Sequence, residues 1–516
     1  MTMRRLILTL LAACAALSAG AQVYVATDKS CYVAGERIWC SAFAGACEPV
    51  AYLELASSEG VSARGRIALQ DGRGGGSLRI PFGTPTGNYR LRCYTAGAKE
   101  AGGPVISVFN TLSTTRVNDG VEVVQALDTA HAMQTGYGLA AETGGSVVLE
   151  NTSGQTVSLC VSLCRDDSLQ PPAWHSISSF EAPPAAGANP GGETVRAYLA
   201  GADAAIVAAR AEENFTDAII AVPGAKTDCC VAYPEPDGSF EFHTENIYGD
   251  CDLVCLLRGV PEGMDCHLEL SQPFIGGAEK GLPKLRISTA QAQDLERRTA
   301  AMLAGAGRDS LAVTLPMAQD HFLLTHECIS YILDDYTRFP TMEELFVEIT
   351  PNIKMRKRGG KTHIYLVKAT SVTDAAPRWG SALTMIDGVP VPDQDLIAGY
   401  DPALIKVVET YPYSYSLGGR SFDGVINFVT FKGNMPGVLF DDNIRIYSFP
   451  GCSLPEVHEG TETLFWHPLV RLQPGEKVAV PATALQKGER YMLSAEGLTD
   501  EGRPVWLRKT VVFLTY

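Results

Sequence analysis

The sequence predicts a mainly β, multidomain protein in which serial immunoglobulin-like β-sandwiches accompany one small α/β domain. Short runs that alternate apolar and polar residues, separated by clusters drawn from 50 glycines and 30 prolines, indicate half-buried antiparallel strands. A length of 516 residues, with 46% hydrophobic and 19% charged residues, is enough for several buried cores. The apolar period changes to that of a helix near position 284, which places the α/β domain in the second half of the chain.

The predicted domain boundaries follow these changes of pattern. In chain order they are a signal peptide (1–21), a first β-sandwich (22–115), a second β-sandwich (116–181), a linker (182–192), a third β-sandwich (193–283), a helical connector (284–335), an α/β domain (336–440) and a C-terminal β-sandwich (441–516). The linker, APPAAGANPGG, has three prolines and three glycines, which exclude it from a regular element.

The first sandwich contains two motifs that resemble a known family. Residues 27–36, TDKSCYVAGE, and residues 87–92, GNYRLR, are similar to the second domain of α-macroglobulins, with Ser30 at the position of the family's proline. The resemblance implies a macroglobulin-like β-sandwich over about 22–115. It does not extend to proteinase trapping, because Gly451-Cys452 continues as Ser-Leu-Pro-Glu, without the Gly-Glu-Gln that the family's internal thioester needs.

The helical connector is predicted from a capping pattern. Residues 288–291, Ser-Thr-Ala-Gln, form a capping box, and Leu295 and Met302 then lie near one face of a helix that ends at Gly305 or Gly307. A second helix is predicted from Thr341 through position 349.

Residues 381–432 hold the most specific signal of the chain. Asp387-Gly388 separates two apolar runs and predicts a tight hairpin. In order, IDGVP (386–390), DPALIKVVE (401–409), YSLG (415–418) and DGVINFVT (423–430) resemble the plug domain of TonB-dependent outer-membrane receptors. A receptor barrel of about 22 strands needs on the order of 220 residues. Because 76 residues follow position 440 (516 minus 440), we expect a plug-like domain without its barrel.

The order of the domains, ending with LFWHP at 464–468, resembles exported Gram-negative envelope proteins that combine macroglobulin-type sandwiches with a plug-like domain. A basic start, MTMRR, followed by LILTLLAACAAL and small residues, predicts a signal peptide cleaved after Ala21. We expect an exported protein, periplasmic or associated with the outer membrane. Residues 11–14, LAAC, leave open the alternative of a lipid anchor on Cys14, and no later segment reaches the 18 apolar residues of a transmembrane helix.

Charge and cysteine content limit the partners. A net charge of -16 disfavours nucleic acid. A basic run at 354–361 surrounds Gly359-Gly360 and is interpreted as a solvated hairpin tip, with an anion site as the alternative. Of the 14 cysteines, 13 remain after cleavage, so at least one has no intramolecular partner, and a bridge between Cys31 and Cys40 is one option.

No residue pattern indicates catalysis, a metal or a cofactor. His321 and His326 are five residues apart, about 140° around a helix, unlike the zinc-binding H-E-x-x-H motif. Cys266 and His267 are neighbours on a predicted strand and therefore face opposite ways.

Two functions remain. The first is a non-catalytic envelope scaffold or protein-interaction protein that binds an envelope or outer-membrane protein through its plug-like domain. The second is an accessory protein that captures a glycan or peptide for uptake. For the first, Tyr411, Tyr413 and Tyr415 are the candidate partner-binding residues, because alternate residues of an extended segment share one side and aromatic residues are favoured interface anchors. The alternative is that these rings pack in the domain's own core or on a neighbouring sandwich.

Overall fold

The computed structural model describes most of the chain from Val23 to Val512. The described residues are 23–45, 48–97, 102–113, 117, 120–125, 135–143, 146–169, 175–180, 192–224, 229–244, 249–306, 320–368, 378–438, 444–452, 462–480, 485–486 and 488–512. The predicted signal peptide, Cys14 and residues 182–191 of the predicted linker lie outside them. Strands dominate, several separate sheets are formed, and the predicted mainly β, multidomain class is confirmed.

The N-terminal sandwich consists of two sheets. The three-stranded sheet comprises Tyr24–Thr27, Arg37–Phe43 and Arg73–Arg79, and the five-stranded sheet comprises Cys31–Val33, Val105–Phe109, Gly87–Tyr94, Val50–Ser57 and Gly60–Ala68. Alternate side chains of both sheets, including Ile38, Leu53 and Ile106, meet in one core.

A second sandwich, here called the outer sandwich, is assembled from two distant parts of the chain. Its five-stranded sheet comprises Thr135–Tyr137, Pro504–Val512, Arg490–Thr499, Val157–Arg165 and Thr463–Leu472, and its three-stranded sheet comprises Leu139–Thr143, Val147–Asn151 and Lys477–Val480. The sequence predicts separate sandwiches at 116–181 and 441–516. This prediction is wrong, because Val157–Arg165 is hydrogen-bonded on both sides to C-terminal strands.

A third sandwich, the inner sandwich, lies within the outer one in the chain. Its sheets comprise Ser239–Thr244, Glu193–Ala200 and His267–Leu270 on one side, and Cys229–Ala232, Asp217–Ala221, Cys251–Arg258 and Ile444–Phe449 on the other. A short helix, Ala204–Ala209, packs on it through Val207. Strand Ile444–Phe449, which the sequence assigns to the C-terminal sandwich, pairs instead with Cys251–Arg258.

The α/β unit is inserted between the last two strands of the inner sandwich. Its mixed sheet has the order Ile329–Ile332, Ile405–Tyr411, Gly424–Thr430, Trp379–Ile386, Lys361–Val367 and Ile353–Arg358, with Val389–Pro390 beside Trp379–Ile386. Its other elements are the helices His321–Thr325, Met342–Glu348 and Gln394–Ala398, the 3-10 turns Leu333–Asp335 and Pro402–Leu404, and the hairpin Tyr415–Leu417 with Arg420–Phe422. The predicted Asp387-Gly388 hairpin is confirmed, with Ile386 opposite Val389.

The predicted connector at 284–335 divides between two units. Leu285–Ile287 pairs with Val121–Val123, and helix Ala292–Ala306 follows a turn in which Ser288 N donates to Gln291 Oε1 at 3.1 Å. Met302 of this helix packs in a cluster with Val33 and Phe109 of the N-terminal sandwich. Strand Ile329–Ile332 belongs to the sheet of the α/β unit, so that unit begins before position 336.

Candidate functional site

The three candidate tyrosines lie around the short helix His321–Thr325 of the α/β unit. Tyr411 is 0% exposed and Tyr415 is 8% exposed, and both belong to the core of the unit. The Tyr415 hydroxyl donates to Asp320 Oδ2 at 2.7 Å, and the Asp320 carboxylate caps the helix by accepting from Phe322 N at 2.7 Å. The Tyr411 hydroxyl donates to Glu409 Oε2 at 3.2 Å. Burial, with a smaller contribution from the Glu409 carboxylate, raises the pKa of Tyr411 and keeps it a neutral donor.

The predicted row of exposed rings is therefore not formed. Pro412 has no N–H to continue the ladder, strand Ile405–Tyr411 ends before it, and the chain bends at Tyr413. Tyr413 is half-buried, with its ring 5.2 Å from that of His326. The rings of Tyr411 and Tyr415 pack in the core of the α/β unit, which agrees with the alternative interpretation. Replacing them would therefore test the stability of the unit and not docking.

The two ends of the sheet in the α/β unit differ in chemistry. At one end, Ile329 and Ile332 of the end strand are 48% and 47% exposed, and Tyr336 beyond it is 47% exposed. We call these three residues the apolar edge. Ile329 and Ile332 are three residues apart and therefore lie on opposite faces of the strand, and natural sheets usually cover or charge such an edge.

The opposite end of the sheet is strongly basic. The hairpin of Ile353–Arg358 and Lys361–Val367 has five exposed cationic side chains, which we call the basic edge: Lys354, Arg356, Lys357, Arg358 and Lys361. Among the described residues none of the five forms an ion pair with an N–O distance within 4.0 Å, although the Asp395 carboxylate is near enough to interact with the charges of Lys357 and Lys361. Lys354 Nζ lies 4.0 Å from the ring centre of Trp379. Gly359 and Gly360 have φ of 61° and 84°, which gives the predicted hairpin tip.

A pocket of about 370 Å³ lies between the N-terminal and inner sandwiches. Its lining includes Tyr52 and Thr95 from the first, and Glu193 and Phe449 from the second. Behind it, the fully buried Arg66 donates from Nη1 to Glu193 Oε2 at 2.6 Å, with its guanidinium 3.5 Å from the ring centre of Phe449. Tyr52 donates to Glu193 Oε1 at 2.9 Å.

One polar group of this pocket has no partner. Thr95 is 2% exposed, and its Oγ1 forms no hydrogen bond within the described residues. A buried hydroxyl without a partner costs about 1–3 kcal/mol. No local motif in the sequence indicates this pocket, because its residues come from separate segments near positions 52, 95, 193, 273 and 449.

The candidate chemical residues have structural surroundings. The ring of His326 stacks on Phe322 at 4.2 Å, and its Nδ1 lies 3.1 Å from the Phe322 carbonyl oxygen. Cys266 is buried in the core of the inner sandwich, and Cys452 is buried in that of the N-terminal sandwich. Cys31 and Cys40 are free thiols. Within the described ranges, no group of three or more His, Cys, Asp or Glu side chains is arranged to hold a metal ion.

No helix in the described part of the chain is both long and apolar enough to cross a membrane.

Comparisons with known proteins give no family. No family model matches the chain, and no curated protein matches it. Among solved structures, Salmonella alpha-2-macroglobulin reacted with methylamine, and a tyrosine-to-glycine mutant of it, each align with 96% of this chain and 40% of their own at 9% identity and a TM-score of 0.24. Dimeric latent PorU from Porphyromonas gingivalis aligns with 52% of this chain and 34% of its own at 10% identity and a TM-score of 0.16. The chain spans about two fifths of the length of the macroglobulin structures, and similarity at this level assigns neither fold family nor activity.

Proposed function

We propose that this chain is a non-catalytic protein-interaction protein of the Gram-negative cell envelope that docks onto an envelope or outer-membrane protein through its α/β unit. The apolar edge is the observation that carries the proposal. The four plug-like motifs between 386 and 430 support a plug-like domain as the docking module, and the signal-peptide pattern supports a periplasmic or outer-membrane-associated location.

The apolar edge fits a docking role because of where its residues lie. Ile329 and Ile332 are in the end strand of a sheet that continues into the core of the unit, so they are held on a rigid element. Fully burying an isoleucine side chain contributes about 1.5–3 kcal/mol, and covering the exposed halves of Ile329 and Ile332 would contribute part of that for each. Because the two side chains lie on opposite faces of the strand, the partner must contact both faces at this edge.

The test compares two double variants in the full chain. Ile329→Asp with Ile332→Asp places charges on the apolar edge, and Ile206→Asp with Ile446→Asp places them at residues of the inner sandwich that are 45% and 47% exposed. Each protein is used to capture partners from detergent-solubilised envelope, followed by quantitative mass spectrometry.

We expect the first variant to lose one specific protein that the unmodified chain and the control retain. Equal capture by all three proteins, with unchanged circular dichroism, would refute docking through the apolar edge. A reproducible hydrolase activity abolished by one point mutation would refute the non-catalytic assignment.

The pocket between the sandwiches favours a second candidate function, capture of a small glycan or peptide. Ligand pockets are frequent at domain interfaces, and this one combines aromatic surface from Tyr52 with the unpartnered Thr95 hydroxyl. Titration calorimetry with a panel of disaccharides and dipeptides tests it. Binding that Thr95→Val weakens about tenfold or more would support capture, and no binding by any member up to millimolar concentration would exclude it for those classes.

A further inference from the structure

We propose that the basic edge binds an acidic, extended segment of a partner protein by adding it as a further strand beside Ile353–Arg358. This inference rests on the proposed function, docking through the α/β unit, and specifies a second surface of that unit and the chemistry of the segment it takes.

Within the described residues, no strand pairs with the backbone of Ile353–Arg358 on the side away from Lys361–Val367. Arg358 lies opposite Lys361 across a two-residue turn in which both glycines have positive φ. In such a hairpin the residue pair next to the turn exchanges backbone hydrogen bonds, and so does every second pair from there toward Lys354. The N–H and C=O groups of Met355 and Lys357 consequently point away from strand Lys361–Val367. No described strand lies beyond Ile353–Arg358 in the sheet.

In strand Lys361–Val367, the other strand of the hairpin, every second backbone N–H also points away from the hairpin, and side chains accept hydrogen bonds from these groups. Thr362 N donates to Asp395 Oδ1 at 2.9 Å, and Ile364 N donates to Gln394 Oε1 at 2.7 Å. Side chains from helix Gln394–Ala398 thus satisfy one side of the hairpin. The other side has a row of backbone donors and acceptors at which an extended peptide can pair.

The charges of the basic edge select an acidic segment. Lys354, Arg356 and Arg358 share one face of the strand, because successive side chains alternate. Arg358 is directly opposite Lys361, and like charges at such positions destabilise a hairpin. A strand with glutamates at alternate positions would lie 4.7–4.9 Å away, the ordinary spacing of neighbouring strands, and would relieve this repulsion.

A peptide fits this surface better than other polyanions. The net charge of -16 disfavours nucleic acid, and an anionic polysaccharide has no backbone amides with which to pair. The competing explanation is that the basic residues only protect the sheet edge from association with other sheets. Under that explanation, no saturable binding occurs.

The experiment uses the full chain and a fluorescein-labelled (Glu-Val)4 peptide, with fluorescence anisotropy in low salt. A second peptide of the same sequence has N-methyl groups at alternate residues, which retain its charge but prevent strand pairing. Arg356→Glu with Arg358→Glu replaces two of the five positive charges of the basic edge by negative ones, and Lys280→Glu with Lys284→Glu makes the same charge change at exposed residues away from the hairpin.

We expect saturable binding of (Glu-Val)4 that falls about tenfold or more in the Arg356→Glu, Arg358→Glu variant and with the N-methylated peptide, and that changes less than about twofold in the lysine control. Absence of saturable binding overturns the proposal. Equal binding of both peptides, with competition by heparin, overturns it in favour of a general polyanion surface. If the peptide fails while the apolar-edge variant still loses its envelope partner, this inference falls and the proposed function stands.

Discussion

At the scale of single residues, Asp387 shows how a local sequence signal can be correct and incomplete. The Asp387-Gly388 dipeptide predicts a turn, and the two residues have φ of 47° and 76°. The sequence does not reveal that the Asp387 carboxylate is fully buried. It accepts hydrogen bonds from Thr430 N at 2.7 Å, Thr430 Oγ1 at 2.7 Å and Met435 N at 2.8 Å, which link the turn to the end of strand Gly424–Thr430.

Replacing Asp387 by alanine should therefore destabilise the α/β unit by about 3 kcal/mol or more, because three buried donors lose their acceptor and a non-glycine residue without a polar side chain must adopt positive φ. Asp423→Ala is the control: it changes the other Asp-Gly pair of the unit at a half-exposed carboxylate, which forms an ion pair with Lys368 and accepts from Ser381 N at 3.2 Å, and should cost only about 1 kcal/mol. Urea unfolding followed by circular dichroism measures both. Similar losses for the two variants would contradict the prediction.

The cysteines give a second prediction at this scale. Burial raises the pKa of the Cys31, Cys160 and Cys452 thiols to about 12 in each case. Since an ordinary thiol has a pKa of about 8.5, their thiolate fraction at pH 8 is lower by about a thousandfold. The thiolate fraction increases with pH. At pH 9, however, the pH is still about three units below these pKa values, so the three thiols remain almost entirely protonated.

We expect iodoacetamide to label these three cysteines in the native protein at pH 8 at least about a thousandfold more slowly than in urea, with site-resolved mass spectrometry as the readout. Native labelling at the rate of the unfolded chain would show that they are accessible.

At the scale of elements, strand Asp217–Ala221 explains how the α/β unit is held. Ile220 packs into the core of the inner sandwich, and Ile219 packs on the opposite face into the core of the α/β unit. The sequence contains this information, since 218–222 is an unbroken apolar run, the pattern of a strand buried on both faces. The sequence does not show which part of the chain packs on the second face of this strand. The hairpin at Gly418-Gly419 adds a polar contact, where Arg258 Nη2 donates to the Leu417 carbonyl at 3.1 Å.

Ile219→Ala and Ile220→Ala should both be costly, each by about 2–5 kcal/mol, because each removes a buried side chain from a different core. Ile206→Ala, at an exposed helical position, should change stability by less than about 0.5 kcal/mol. Chemical denaturation of the three variants measures this. If Ile219→Ala were as mild as Ile206→Ala, the α/β unit would not pack on this strand.

At the scale of the whole molecule, the domains are nested rather than serial. The α/β unit interrupts the inner sandwich before Ile444–Phe449, and both lie between Val157–Arg165 and Thr463–Leu472 of the outer sandwich. Alternation of apolar residues predicts that each of these segments is a strand. It does not predict that Leu163 pairs with Phe465. The free energy of closing so long a loop changes only slowly with loop length, so the residues near either strand carry no signal of which strand is the partner.

Nesting also explains why strand content was predictable and domain boundaries were not. The two halves of the outer sandwich contribute to one core, in which Val161 and Leu163 meet Tyr491 and Leu493. Each half, considered separately, has enough strand-like segments for a small sandwich. The prediction that the three tyrosines of the α/β unit share one side failed for a related reason. Side chains alternate between faces only within a continuous strand, and Pro412 ends the strand between Tyr411 and Tyr413.

The nested architecture predicts that the outer sandwich cannot form without the C-terminal segment. A chain ending at Cys452 loses both neighbours of Val157–Arg165, a strand whose first eight residues are buried. Its amides should exchange hydrogen almost freely, whereas those of Asp217–Ala221, whose partner strands all precede position 452, should stay protected in the same sample.

Cleavage of the folded full chain at a protease site engineered between 452 and 462 provides the complementary measurement. The two pieces should remain together on gel filtration and separate only in denaturant, because Val157–Arg165 lies between two strands of the C-terminal piece and shares a core with them. Spontaneous separation in buffer, or full protection of Val157–Arg165 in the shortened chain, would mean that the two parts fold independently, as the order of strands along the sequence suggests.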